Sequence, residues 1–233
     1  MKRLFYISLV FNALLLIAGY LAVYKLGGWR YALLKLQRDT SGLYQHRIQQ
    51  FEKLPAHPGA WVFVGDSQVE NAEWHEWITD SVAVLNRGIA GDYTAAVKTR
   101  LPEVLRHEPK KIFLWVGVND LIFGKKAPEI VGYYQELVQQ IRSKAPNASV
   151  FLLGLPPVNN DLRRSGTDNE RIRNLNQGIE QTARDFAVPY IDLYAPLANA
   201  DGNLSVQFTE DGLHLNGLGY VVVLNTLKPF TSH

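Results

Sequence analysis

From Trp61 onward the chain alternates two hydrophobic rhythms. Short, nearly unbroken apolar runs, WVFVG, VAVLN, KIFLWVG, SVFLLGL and VPYIDL, are separated by longer stretches in which apolar residues recur every three or four positions. A strand that is apolar at every position is buried on both faces, and strands alternating with amphipathic helices describe a parallel sheet covered on each side. The pattern therefore predicts an α/β domain with five parallel strands. Its clearest helix carries Ile130, Val131, Tyr134, Leu137, Val138 and Ile141 on one stripe, with Pro128 in its first turn and Pro146 closing it. Another places Ile172, Leu175, Ile179, Ala183 and Phe186 on one face behind a capping box of Thr167 and Glu170. Pro102 interrupts the helical pattern between Tyr93 and His107, so a kink or break is expected there.

The N-terminal pattern is different. Leu4 to Tyr24 contains no charge and only Ser8 and Asn12 as small polar interruptions. As a helix this stretch spans roughly 31 Å, about the thickness of a bilayer core. No small-residue cleavage site of the A-x-A kind lies between Ala18 and Gly28, which favours an uncleaved anchor over a signal peptide. Lys25, Arg30, Lys35 and Arg38 follow the span and outnumber Lys2 and Arg3 before it, a count that favours a cytosolic domain. The basic start followed by an apolar segment is also how an export signal begins, and an exported domain is the expectation. Leu43, Tyr44, Ile48, Phe51 and Leu54 recur at helical spacing, and LPAHPGA then stops the helix. The organisation read from the sequence is an anchor over 1–25, a helical connector over 26–59 that packs on the domain, and the α/β domain over 60–233.

Composition narrows the function classes. A formal net charge of +2, spread evenly, leaves no nucleic-acid footprint. The absence of cysteine excludes disulfides, thiolate metal sites and cysteine nucleophiles.

Ligands of open parallel sheets bind beyond the carboxyl ends of the strands. There the sequence places Gly65-Asp66-Ser67, then NRGIAGDYT, Gly117-Val118-Asn119-Asp120 and PPVNNDLRRSGT, with TEDGLHLNGLGY near the C-terminus. Taken singly, these are turn and cap residues. Together they supply the parts of acyl transfer. A serine hydroxyl is a weak nucleophile that needs a base within hydrogen-bond reach, and Ser67 and His214 can form that pair. Asp211, three residues before His214, can hold the imidazole tautomer. The backbone N–H groups of Ser67 and Gly91 and the side-chain amide of Asn119 are candidate oxyanion donors. Asp66, Asn86, Asp92 and Asp120 are expected to brace their loops. Trp74 and Trp77 are expected to pack or to line the rim, His75 to be a surface residue, and Arg163 and Arg164 either to be solvated or to meet an anionic substrate.

These blocks, GDS at Gly65 to Ser67, Gly91 within GIAGD, GVND at Gly117 to Asp120 and DGLH at Asp211 to His214, resemble the SGNH or GDSL hydrolase family. LNRGIAGD, RIRNLNQGIE and DGLHLNGLGY are most similar to its branch of platelet-activating-factor acetylhydrolase catalytic subunits. The resemblance covers about residues 60–230. It implies a flavodoxin-like three-layer fold, Ser67 as nucleophile, His214 as base with Asp211 as its partner, and an oxyanion hole of Ser67, Gly91 and Asn119. It implies no metal or organic cofactor. The G-x-G-x-x-G, P-loop and G-x-S-x-G patterns are absent. No long insertion follows the motifs, so a short acyl group, acetyl foremost, is expected on a lipid or carbohydrate ester. An acyltransferase using the same residues and a non-catalytic glycan or partner binder remain the alternatives, and oligomeric state stays open.

Overall fold

The computed structural model describes residues 2–25, 42–78, 82–162 and 165–231. Arg163 and Arg164 lie outside these, as do residues 26–41 of the connector, with Arg30, Lys35 and Arg38. Helix α1 (Lys2–Lys25) is followed by α2 (Leu43–Lys53), β1 (Trp61–Gly65), the short α3 (Ser67–Glu70) and α4 (Trp74–Trp77), and β2 (Val84–Gly88). Then come α5 (Thr94–Leu105), β3 (Lys111–Trp115), α6 (Val118–Ile122), α7 (Ala127–Lys144), β4 (Ser149–Leu153), α8 (Asn169–Asp185), β5 (Tyr190–Ile191) and α9 (Gly217–Leu227).

All strand pairs are parallel, in the order β2-β1-β3-β4-β5. The order reverses beside β1, so the ends of β1, β2 and β3 open onto one crevice. The continuous apolar runs have the burial they predict: β1 is buried at all five positions. Phe63, Phe113 and Phe151 are register partners across β1, β3 and β4 and stack at centroid distances of 4.5 and 4.7 Å. Trp74 covers one end of this row, stacked on Phe63 at 4.0 Å, and Phe230 covers the other. Helices α5, α7 and α8 pack side by side to form a second helical layer. The result is the three-layer architecture the sequence indicates.

The core glycine of the first motif has a steric cause. A Cβ on Gly65 would stand 1.9 Å from the carbonyl oxygen of Trp115, so only glycine lets β1 end against β3.

Several local expectations are corrected. Of the kink or break expected at Pro102, the break does not occur: helix α5 runs through it, with the flanking Leu101 and Val104 buried in the core. The cap of α8 is Asp168, whose side chain accepts from the Arg171 N–H at 2.9 Å, rather than a Thr167–Glu170 box. The second strand begins two residues later than its apolar run and continues past Asn86 to Arg87 and Gly88, since the Arg87 side chain finds a partner in Glu103. The fifth strand keeps only Tyr190 and Ile191 in the ladder. Trp77 is half exposed beside Val221 and Leu224, while His75 is exposed next to Glu73 and Glu76, the surface position expected of it.

Over Lys2–Leu21, α1 has a mean hydropathy of 2.1 and none of that window is buried. It is long and apolar enough to cross a membrane, as either an anchor or a signal sequence is. Helix α2, by contrast, is docked on the domain. Phe51 is buried, with the Arg47 and Arg87 guanidinium groups 4.6 and 4.7 Å from its ring centroid. Arg106 donates to the carbonyls of Phe51 and Leu54 at 2.6 and 2.8 Å.

Candidate active site

The chain leaves β1 at Gly65 and turns at once into α3. Asp66 caps that turn, its carboxylate accepting from the Gln68 N–H at 3.0 Å, so Ser67 becomes the first helical residue at the strand end. Ser67 Oγ lies 3.0 Å from His214 Nε2, across 147 positions of sequence. His214 Nδ1 lies 2.7 Å from Asp211 Oδ2. A ring nitrogen facing a carboxylate carries the proton, which leaves Nε2 as the acceptor for the serine hydroxyl.

Asp211 holds its own loop as well as the ring. Its Oδ1 accepts from the N–H groups of Leu213 and His214 at 2.9 and 2.8 Å. Partial burial pushes its carboxyl up, but the hydrogen bonds from the His214 ring and from these two amides outweigh that and hold it down at about 2.

The loops after β2 and β3 are joined beside the serine. Gly91 has a φ of 76°, in the left-handed region that favours glycine, and turns its loop at this point. The next carbonyl, that of Asp92, accepts from Asn119 Nδ2 at 2.9 Å. Asp92 in turn pairs with Arg100 at 2.7 Å, and Arg100 donates to the carbonyl of Gly65 at 3.0 Å. Asp120 accepts from both the N–H and the hydroxyl of Thr94, each at 2.9 Å. Asn86 donates to the carbonyls of Val69, Glu70 and Ala72, which closes the end of α3. All four acids and amides expected to brace loops thus have such partners.

The structure brings Ser67, His214 and Asp211 into one hydrogen-bonded chain, and ties Asn119 to the loop that carries Gly91. It adds residues the sequence did not single out. Gln68, buried just after Ser67, donates to the carbonyl of Leu213 at 2.6 Å and so links the serine turn to the histidine loop. Tyr220 donates to the Gln68 carbonyl at 2.7 Å. A polar residue on the buried side of a strand-end turn was the only sequence signal for Gln68; Arg100 and Tyr220 gave none, because their partners are distant along the chain.

Asp66, Asp92 and Asp120 are all buried beneath this site. Burial first, then the neighbouring Asp92 and Asp120 charges, pushes Asp66 up to about 7, and burial pushes Asp120 up to about 6. An acid raised in the folded state favours folding below its unfolded value near 4, and that contribution is lost as pH rises through the folded value. Stability should therefore fall between about pH 4 and pH 7, on the order of 1 kcal/mol per pH unit for one such proton. Asp66→Asn keeps a cap acceptor and removes the charge. The expected result is a flatter melting-temperature profile between pH 5 and pH 8, with the variant above wild type at pH 8; parallel profiles would show that Asp66 is charged in the fold.

Residues 63–222 match the model of the GDSL-like Lipase/Acylhydrolase family. The human platelet-activating factor acetylhydrolase IB subunit alpha2 is 31% identical over 198 residues, covering 82% of this chain and 84% of the relative. Among solved structures, a Streptococcus pneumoniae protein named for platelet activating factor superposes with a TM-score of 0.76 at 25% identity, covering 86% of this chain and 98% of that one. A GDSL-like lipase from Bacteroides thetaiotaomicron has the same fold, with a TM-score of 0.69 at 22% identity over 81% of this chain and 96% of its own. By the family match and the extent of the 31% identity, the chain belongs to the GDSL-like lipase/acylhydrolase family.

Proposed function

We propose that this protein is a serine esterase that removes a short acyl group, acetyl foremost, from a lipid or carbohydrate ester. The observation that carries the reading is the continuous chain Ser67 Oγ, His214 Nε2, His214 Nδ1, Asp211 Oδ2, with separations of 3.0 and 2.7 Å. Ser67 Oγ attacks the ester carbonyl as its proton passes to Nε2. The new oxyanion is met by the N–H groups of Ser67 and Gly91 and by the amide of Asn119, whose other hydrogen bond to Asp92 fixes its direction. The departing alcohol takes the proton from Nε2, and water then repeats the sequence in reverse on the acyl-serine. No step calls for a metal or an organic cofactor.

The short acyl group is supported by the compact motif loops and by the name of the acetylhydrolase relatives. Helix α1 serves as an uncleaved anchor ahead of the connector over 26–59, with the catalytic domain over 60–233 on the exported side; its apolar, unburied surface supports contact with a membrane, and the basic start before the apolar segment supports export. The test compares p-nitrophenyl acetate with p-nitrophenyl palmitate. The expected result is at least a tenfold higher kcat/KM for the acetate. A preference for palmitate overturns the short-acyl reading, and failure of a fluorophosphonate probe to label Ser67 overturns the esterase itself.

A further inference from the structure

The turn that carries Gly91 is pinned on both sides. It closes with the Asp92 N–H donating to the Ile89 carbonyl at 3.0 Å. Before Gly91, the Ala90 N–H donates to Glu70 Oε2 at 2.7 Å. After it, Asp92 is buried and paired through its carboxylate with Arg100, while its carbonyl accepts from Asn119. Two of the candidate oxyanion donors, the Gly91 N–H and the Asn119 amide, therefore take their positions from this turn.

Helix α2 reaches the turn from outside at two points. The Tyr44 hydroxyl donates to Asp92 Oδ1 at 3.3 Å, and Arg47 Nε lies 3.4 Å from Glu70 Oε1. Tyr44, Arg47 and the buried Phe51 stand at i, i+3 and i+7 on one stripe of the helix, so seating Phe51 in the domain aims the other two at the turn. Between these contacts α2 does not pack closely on the turn. Among the described residues, a cavity of about 620 Å³ lies there, with Leu43 and Gln50 on one wall and Ile89, Ala90 and Gly91 on the other. Where close packing is missing, the polar contacts set the distance between helix and turn.

Oxyanion donors act by being fixed in place before the charge develops, and a displacement of about 1 Å caused far from the chemistry can cost about 10²-fold in rate. We infer that Tyr44 and Arg47 are positioning residues for the reaction: through Asp92 and Glu70 they hold the Gly91 N–H and the Asn119 amide where the oxyanion forms. This rests on the reading of Ser67 as the nucleophile and of Gly91 and Asn119 as its oxyanion donors. It makes the connector helix part of the catalytic framework, although Tyr44 and Arg47 act only through other residues.

The test uses the full chain in detergent, with p-nitrophenyl acetate as substrate and 1,1,1-trifluoroacetone as an inhibitor whose adduct with Ser67 carries an oxyanion. Fluorophosphonate titration counts the active sites. Tyr44→Phe removes one hydroxyl and keeps the ring. It is expected to lower kcat per titrated site about tenfold with KM within twofold, and to raise the Ki of trifluoroacetone by the same factor. Arg47→Met, which keeps a long side chain over Phe51, should act in the same direction by severalfold. His46→Ala, exposed on the same helix, should leave kcat, KM and Ki within twofold of wild type. A Tyr44→Phe kcat within threefold of wild type, a fall in kcat without a matching rise in Ki, or an equal loss in His46→Ala would overturn the inference while titration of Ser67 leaves the esterase standing. Absence of labelling in the wild type would instead remove the reading beneath it.

Discussion

Ser67→Ala is expected to lower kcat on p-nitrophenyl acetate by about 10⁴- to 10⁶-fold, the range seen when a nucleophile that works with its base as one unit is removed. The structural reason is that only the hydroxyl is lost. Asp66 still caps the turn through its own side chain, Gln68 still reaches Leu213, and the carbonyl of Gly65 still accepts from Arg100. The variant should therefore melt within a degree or two of wild type, so that the rate loss reports chemistry and not unfolding. Residual activity above the buffer rate is expected, because the Gly91 and Asn119 donors remain to stabilise the oxyanion of a direct water attack. Steady-state rates, corrected for the uncatalysed reaction, check this. A variant retaining more than about a hundredth of the wild-type kcat would show that the acyl group does not pass through Ser67.

Asp211→Asn is expected to cost about 10⁴-fold in kcat, in line with the loss of a triad carboxylate that fixes the imidazole tautomer. The asparagine oxygen can take the place of Asp211 Oδ1 in accepting from the Leu213 and His214 amides, and this leaves its NH₂ facing His214 Nδ1. The ring must then accept at Nδ1 and carry its proton on Nε2, the nitrogen that has to receive the serine proton. The loss should appear in kcat with KM little changed. Because the carboxyl of Asp211 is held at about 2, it stays ionised down to strongly acid pH, and no loss of wild-type activity near pH 4 should trace to it. The stability it contributes is present above its unfolded value near 4 and is lost as pH falls through 2. Acid titration of folding, read by circular dichroism, should show Asp211→Asn converging on wild type only at that end. A variant within tenfold of wild-type kcat would exclude an orienting role for this carboxylate.

Much of the site was legible because its motifs are compact. Asp211 and His214 sit three residues apart on one loop, so the pairing of carboxylate and imidazole is a local matter. Asp66 precedes the helix it caps, and Gly65 marks where an apolar run stops, so the serine turn too can be read from neighbours. The misread features are those in which packing overrules a local preference. Pro102 opposes a helix, yet burial of Leu101 and Val104 carries α5 through it. Arg87 looks too polar for a strand, but β2 takes it in because its side chain pairs with Glu103 and covers Phe51.

What the sequence by itself determined is the alternation of strands and helices, the strand-end location of the candidate chemistry and the presence of a long apolar N-terminal helix. Hydrophobic period, caps and turn glycines act over a few residues and need no knowledge of the rest of the chain. Only the tertiary structure decided that Ser67 meets His214, that Gln68 bridges their two loops and that α2 closes a cavity against Gly91. Those contacts depend on the order of strands in the sheet and on which helix faces which loop, and both are settled by the collective burial of the core rather than by any short segment.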